Sequence, residues 1–231
     1  PRIMSGLGRS IGAKVSSRTT FRETGIMSKP AAKLTEEKKP FIPYVEEKDF
    51  SNELMEILTP YKERMGFIPN ALKLYMHRPE ISKALWTLNN NVMRDPTSTL
   101  DQELKRKLAA TASKINGCTY CTSHHCSVLQ NDDDGEAEGW GLDDAELNEL
   151  LKDPKPKNEF EKACFDYVQS ASSNPNQVPD GVHENLKKHL TPAQIIELAC
   201  VVGFWKMYNT IHDSLNIPLE SHLLEISGYV D

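Results

Sequence analysis

The sequence predicts an all-α fold on three observations: apolar residues recur at three- and four-residue steps, polar pairs stand at capping-box spacing, and no segment alternates apolar and polar residues for long. In chain order, residues 31–48 (AAKLTEEKKPFIPYVEEK) mix charge with proline. They read as an extended arm whose Phe41, Ile42, Tyr44 and Val45 can lie across a neighbouring surface, or reach another subunit. From residue 50 the pattern turns helical, with Leu54, Ile57, Leu58 and Tyr61 on one stripe. GFIPN at residues 66–70 interrupts it, and Asn70 is placed to cap a short helix running to His77. Pro79 opens the next helix, whose stripe is Ile81, Leu85, Leu88 and Val92. Thr99 with Gln102, Asp143 with Glu146, and Thr191 with Gln194 have capping-box spacing. Gly117 ends one helix, and another begins around Cys118 or Thr119. Residues 131–141 and 172–181 are loops, and DPKPK at 153–157 separates two helices. Residues 192–216 are apolar around most of their circumference and predict a buried central rod.

A chain of 231 residues suits one such domain, here residues 49–231, preceded by a disordered or extended segment over residues 1–48. The longest apolar run, residues 198–205, is far too short to cross a bilayer, so no membrane partner is expected. Residues 1–30 carry six basic side chains against the single acid Glu23, leaving 21 basic and 32 acidic side chains beyond them. An acidic body argues against nucleic acid. The basic leader suits an organelle transit peptide, and equally a disordered tail or an added leader. The expected location is cytoplasmic, or mitochondrial if residues 1–29 are a transit peptide.

Three of the five cysteines and two of the seven histidines fall in GCTYCTSHHC, residues 117–126. An odd cysteine count, with Cys164 and Cys200 isolated in helical segments, does not suit a secreted disulfide scaffold. On one helix Cys118, Cys121 and His125 lie within about 60° of one another. A thiol in the first turn feels the positive end of the helix dipole, a second thiol one turn away can capture it, and an imidazole can move the proton. Zinc is the competing use, with Cys118, Cys121, His125 and one of His124 or Cys126 as ligands. Those ligands crowd one helix, whereas structural zinc usually joins two segments. A silent cluster of buried thiols is the third option. We expect the redox couple, with no metal and no cofactor.

The stretch LKRKLAATASKINGCTYCTSHH, residues 104–125, resembles the core motif of the alkylhydroperoxidase D-like and carboxymuconolactone decarboxylase family. Its cysteine-bearing, peroxidase-related branch has C-x-x-C-x-x-x-H after Asn-Gly. Residues 66–80 resemble the branch's Gly-x-x-Pro-Asn segment, and residues 191–220 its closing helix. The resemblance spans about residues 50–220 and implies an all-helical bundle that assembles into trimers or hexamers. It also implies an antioxidant thiol peroxidase or disulfide oxidoreductase. Cys121 would attack the peroxide, Cys118 would resolve the sulfenic acid through a redox-active disulfide, and His125 would relay the proton. A lipoyl or thioredoxin-like dithiol would be the reductant.

The chain departs from that pattern. The family's catalytic glutamate lies twelve residues before the first cysteine, where this chain has Arg106. Tyr120 stands where a histidine sometimes separates the cysteines, and Thr210 replaces an arginine of the last helix. Glu103 or Glu197 could replace the acid, although a first-turn charge and a half-exposed helix residue explain them more simply. Arg106 could instead stabilise a Cys121 thiolate or bind an anionic substrate. The alternatives are a carboxymuconolactone decarboxylase-type lyase, whose branch usually lacks the cysteine pair, and a non-catalytic oligomeric protein. The remaining histidines read as surface or cap residues; His212, with Asn209 and Asp213, is the polar group to watch. NDDDGEAE from residue 131 mimics a calcium loop but has Leu142 at the twelfth position, so it reads as solvated loop.

Overall fold

The structure is a computed structural model and describes residues 39–131 and 139–224, apart from the side chains at 60, 61 and 64. The transit-peptide reading and the core of the acidic loop fall outside the described residues. Within them the secondary structure is helical throughout, as expected. The helices are α1 (Asn52–Met65), α2 (Asn70–Tyr75), α3 (Pro79–Met93), α4 (Gln102–Ile115), α5 (Thr119–Gln130), α6 (Asp144–Lys152), α7 (Glu159–Ser173), α8 (Asp180–His189) and α9 (Pro192–Ser214). No helix among the described residues is long and apolar enough to cross a membrane.

The centre of the bundle is α9, which packs against α3, α4, α5 and α7. Leu198, Val201, Phe204, Trp205 and Tyr208 are buried along it. The rod is not sheathed all round, because Ile196 is 64 % exposed. Its start has the expected capping box between Thr191 and Gln194, with Pro192 in the first turn, and α6 has the one between Asp143 and Glu146.

Two expected caps are replaced by longer-range contacts. Asp101, not Thr99, caps α4 by accepting the Leu104 N–H at 2.9 Å. Thr99 is drawn instead to Glu197 on α9, whose carboxylate accepts from Ser98 Oγ (2.5 Å), Thr99 N (3.1 Å), Thr99 Oγ1 (3.0 Å) and Leu100 N (3.3 Å). Asn70 likewise does not cap α2; its N–H donates to Glu220 Oε1 at 2.6 Å, and its Nδ2 to the Pro218 carbonyl at 3.1 Å. In each case a carboxylate distant in sequence outcompetes a local side chain, since ionised acceptors make the stronger bonds.

Helix α3 has the expected period with its buried face turned part of the way round: Leu85 and Val92 pack against the core as expected, but Ile81 and Leu88 are exposed, while Ser82, Asn89 and Met93 face inward. That polar face is held because Asn89 accepts from Arg94 Nη1 at 2.6 Å, and Met93 sulfur receives the Trp205 indole N–H at 3.3 Å. The extended segment before α1 lies on its own chain. Phe41 N donates to Leu215 O at 3.1 Å and Val45 N to Lys73 O at 3.2 Å, with Ile42, Tyr44 and Val45 packed on the core.

The corner between α4 and α5 positions the cysteines. Gly117 adopts φ of 78°, a left-handed conformation that costs a glycine little, and the chain reverses within two residues. Cys118 is then the N-cap of α5, its sulfur 3.4 Å from the Cys121 N–H.

Glu197→Ala should lower unfolding free energy by about 2 kcal/mol, because it strips an ionised acceptor from four donors at the entrance to α4. Urea unfolding measures this, and a change below about 0.5 kcal/mol would show that the entrance holds without Glu197.

Candidate active site

Cys118 and Cys121 are both buried, with sulfurs 2.9 Å apart and no bond between them. The sulfurs face each other because one caps α5 and the other sits in its first turn. The imidazole that meets them is not the expected one. His212, on α9, places Nδ1 3.0 Å from Cys121 Sγ, and its Nε2 is 2.5 Å from the Tyr75 hydroxyl on α2. Tyr75 stacks on the His212 ring, and Tyr208 and Tyr120 stand edge-on to it. Aromatic walls therefore fix the ring plane while Tyr75 anchors its far nitrogen.

His125 is not in hydrogen-bond contact with either sulfur. Its Nδ1 accepts from Arg106 Nη1 at 3.3 Å, its Nε2 has no hydrogen-bond partner among the described residues, and its ring stands edge-on to Trp205 at 4.0 Å. Burial and then the Arg106 charge push its pKa well down, so it is neutral. Glu103 and Glu197 are also elsewhere: Glu103 pairs with Lys107 in the first turn of its helix, and Glu197 ties the loop before α4. Tyr120 belongs to the wall. Its hydroxyl donates to Glu220 Oε1 at 3.0 Å and accepts from Ala71 N at 3.2 Å.

A second polar cluster lies beside the thiols. His124 Nε2 is 2.8 Å from Glu220 Oε2. Burial opposes ionisation of Glu220, but the His124 hydrogen bond and charge and the Asn70 N–H outweigh it and hold the carboxyl at about 2. Glu220 thus stitches the segment after α9 to α2 and α5. No periodicity marks it, because it sits in a loop. His212 could be found in sequence as a histidine continuing the buried stripe Trp205–Tyr208 at helical spacing.

Electrostatics correct the expectation of a resting thiolate. A helix N-terminus is worth at most about 2 kcal/mol, roughly 1.5 pKa units. Full burial shifts a thiol by up to about 3–5 units the other way. Burial wins: with the Cys118 hydrogen bond added, it pushes the Cys121 thiol well up, and it brings His212 down to about 3. The resting pair is a thiol against a neutral imidazole.

The competing zinc set does not assemble, since His124 turns to Glu220 and His125 to Arg106. A different trio does: the ligand atoms of Cys118, Cys121 and His212 lie within 4.8 Å of one another. Two thiolates on one zinc stand about 3.8 Å apart, so the sulfurs would have to part by about 0.9 Å to share an ion. Closing to a disulfide, at about 2.05 Å, requires a similar movement inward. Cys126 and Cys164 are buried apart from this trio, each pushed up to about 12 chiefly by burial, and Cys200 is exposed.

A cavity of about 90 Å³ opens onto Cys121 and His212 between α2, α3, α4, α5 and α9, with Leu72, Trp86, Trp205 and Tyr208 as its apolar walls. Cys118 does not line it. The cavity presents one of the two sulfurs, that of Cys121, at its wall.

Stability should fall as pH drops below 6.5, because the unfolded chain protonates His125 and His212 while the folded chain resists, His212 down to about 3. The slope is about 1.4 kcal/mol per pH unit per histidine. Denaturation curves between pH 6 and 4 should show His212→Asn removing one such step; an unchanged slope would mean that the folded protein already protonates His212.

No family model and no curated protein sequence matches the chain. Solved structures do. The debrominase Bmp8 in its apo form superposes with a TM-score of 0.68 at 17 % identity, over 81 % of this chain and 96 % of that one. An alkylhydroperoxidase AhpD core, an uncharacterized peroxidase-related protein from Ralstonia eutropha JMP134, gives 0.69 at 16 % identity over 81 % and 96 %. An uncharacterized peroxidase-related protein from Silicibacter sp. TM1040 gives 0.66 at 20 % identity over 87 % and 100 %. The chain has the all-α fold of the alkylhydroperoxidase AhpD core.

Proposed function

We propose that the protein is a thiol-dependent oxidoreductase that reduces organic hydroperoxides through the Cys118/Cys121 couple. The observation that carries this reading is one contact set: Cys121 Sγ lies 2.9 Å from Cys118 Sγ and 3.0 Å from His212 Nδ1, at the wall of a small cavity. The peroxidase-related and debrominase neighbours support an enzyme of this kind.

In the His212 tautomer protonated at Nε2, Nδ1 accepts the Cys121 proton while Nε2–H donates to Tyr75. The Cys121 sulfur attacks the terminal peroxide oxygen, forming an S–O bond as the O–O bond breaks. The leaving alkoxide takes the proton back from His212 and departs as an alcohol. Cys118 sulfur then attacks Cys121 sulfur, an S–S bond forms, and the sulfenic oxygen leaves as water with the Cys118 proton. One hydroperoxide and two thiols become one alcohol, one water and one disulfide, which an external dithiol reduces. His212 takes the proton-relay role that the resemblance implied for His125. Cys121 is the attacking sulfur because it faces the cavity, and Cys118 the resolving one because it does not. A homo-oligomer, trimer or hexamer, fits the outward apolar residues Ile81, Leu88 and Ile196. The dithiol reductant and a cytoplasmic or mitochondrial location complete the proposal.

The same trio favours a second reading, a buried Cys₂His centre for a soft divalent ion with its open position toward the cavity. Adding Co²⁺ to reduced protein separates the two: a thiolate-to-cobalt absorption band lost in His212→Asn supports the metal centre.

Cumene hydroperoxide consumption with a dithiol tests the first reading. Cys121→Ser should abolish turnover, Cys118→Ser should leave a sulfenic acid trappable by dimedone, and His212→Asn should lower kcat/KM by about 10²–10⁴. Turnover that survives Cys121→Ser would remove Cys121 as the attacking sulfur, and its absence from the unmodified protein would leave the non-catalytic alternative in its place.

A further inference from the structure

The Tyr75 hydroxyl has a hydrogen that the steps at sulfur leave unused. For His212 Nδ1 to accept from Cys121, the ring must carry its own hydrogen on Nε2, and that N–H then donates to the Tyr75 oxygen 2.5 Å away. A phenol oxygen that accepts a hydrogen bond still has its O–H to give. Among the described residues nothing else receives it, since the Tyr75 hydroxyl is bonded to His212 alone. Tyr75 lines the cavity onto which Cys121 and His212 open, so the free O–H has a place to act. Its ring is held there by stacking on His212 and by the edge-on ring of Tyr208, while its neighbours Ala71, Leu72 and Leu74 bury the short helix α2. Burial first, then the adjoining Tyr208 and Cys121, raise its pKa above the ordinary phenol value. It is therefore present as a donor and not as phenolate.

We propose that Tyr75 is a catalytic residue, the acid that protonates the leaving oxygen of the hydroperoxide. The proposal rests on the peroxidase reading and adds the route by which the proton returned by His212 reaches the alkoxide. As Cys121 Sγ bonds to the terminal peroxide oxygen it gives its proton to His212 Nδ1, Nε2 gives its proton to the Tyr75 oxygen, and Tyr75 gives its own to the oxygen released when the O–O bond breaks. Sulfur is oxidised to the sulfenic acid and the peroxide is reduced to an alcohol. Each proton moves one place and none is gained or lost, so no imidazolium or phenolate remains in a site where unsolvated charge is costly. His212 is left with its hydrogen on Nδ1 and accepts at Nε2 from Tyr75. The external dithiol resets the chain when it reduces the disulfide: the Cys121 sulfur takes the Nδ1 hydrogen, Nε2 takes that of Tyr75, one incoming thiol reprotonates Tyr75 and the other supplies Cys118. Two other tyrosines line the cavity. Tyr120 already donates to Glu220 Oε1, and Tyr208, edge-on to His212, makes no hydrogen bond with it and so has no supply of protons.

The test varies the leaving group. Cumene hydroperoxide releases an alkoxide, which needs a proton, whereas peroxybenzoic acid, of similar size, releases a carboxylate, which does not. Tyr75→Phe keeps the aromatic ring and removes only the hydroxyl. It should lower kcat/KM for cumene hydroperoxide by about 10²-fold or more and that for peroxybenzoic acid by less than about tenfold. Tyr208→Phe should change both substrates by the same factor. A tyrosine that did no more than position His212 would, when lost, slow both peroxides equally, because activation of the Cys121 thiol is common to them. The ratio is taken within one preparation, so a partly folded sample scales both rates and cannot imitate the split. Equal losses in Tyr75→Phe, no loss at all, or a split that appears in Tyr208→Phe instead overturns the proposal and leaves the peroxidase reading in place. Turnover of neither peroxide by the unmodified protein removes that reading, and the role of Tyr75 with it.

Discussion

The contact between Cys121 and His212 is where the account begins, because it places a proton donor against a proton acceptor among buried side chains. Burial keeps both uncharged: an isolated thiolate or imidazolium there would lack the solvation that stabilises it in water. In the proposed reaction, charge develops as the proton moves from sulfur to nitrogen. The rest of the bundle meets that requirement. The long α9 carries His212 beneath α5, the left-handed turn at Gly117 brings Cys118 back onto Cys121, and α2 supplies Tyr75 to hold the far nitrogen of the ring.

The surrounding charges are segregated. Glu220 and His124 form a closed pair that stitches the segment after α9 to the site, and Arg94 and Arg106 stand on the cavity wall near His125. A carboxylate in the position of Arg106 would draw a proton from its neighbours; a guanidinium cannot, and its effect on His125 is to keep that ring neutral. In the proposed reaction the proton is handled from α9, where His212 reaches the Cys121 sulfur.

Much of the fold was legible in the sequence because helices are local objects. Helical periodicity, two of three capping boxes, Pro79 and Pro192 at helix starts and the Gly117 corner all follow from side chains within a turn of one another. Errors arose where a distant group won. Asn70 and Thr99 look like local caps, but Glu220 and Glu197 take their donors from far along the chain. The stripe on α3 has the right period and places Leu85 and Val92 on the core, yet Ile81 and Leu88 give way to Ser82, Asn89 and Met93, which meet Arg94 and Trp205. In the site, the sulfur pair was readable from its spacing, while its histidine, His212, could be marked only as a polar group on the central helix and not joined to the cysteines. His125 shares a helix with the cysteines and looks adjacent on a wheel, whereas His212 is brought in by tertiary packing, and only its place on the buried stripe of α9 hinted at that. The same packing explains why a dipole-stabilised thiolate was the wrong expectation: burial is a property of the whole fold.

The most direct measurement is chemical. The reduced protein is treated with one equivalent of hydroperoxide, the remaining thiols are alkylated and the peptides are mapped by mass. The account predicts loss of two thiols per chain and a single intrachain bridge joining Cys118 to Cys121, with Cys126, Cys164 and Cys200 still alkylated. A bridge involving another cysteine, or five free thiols after the peroxide is consumed, would contradict it.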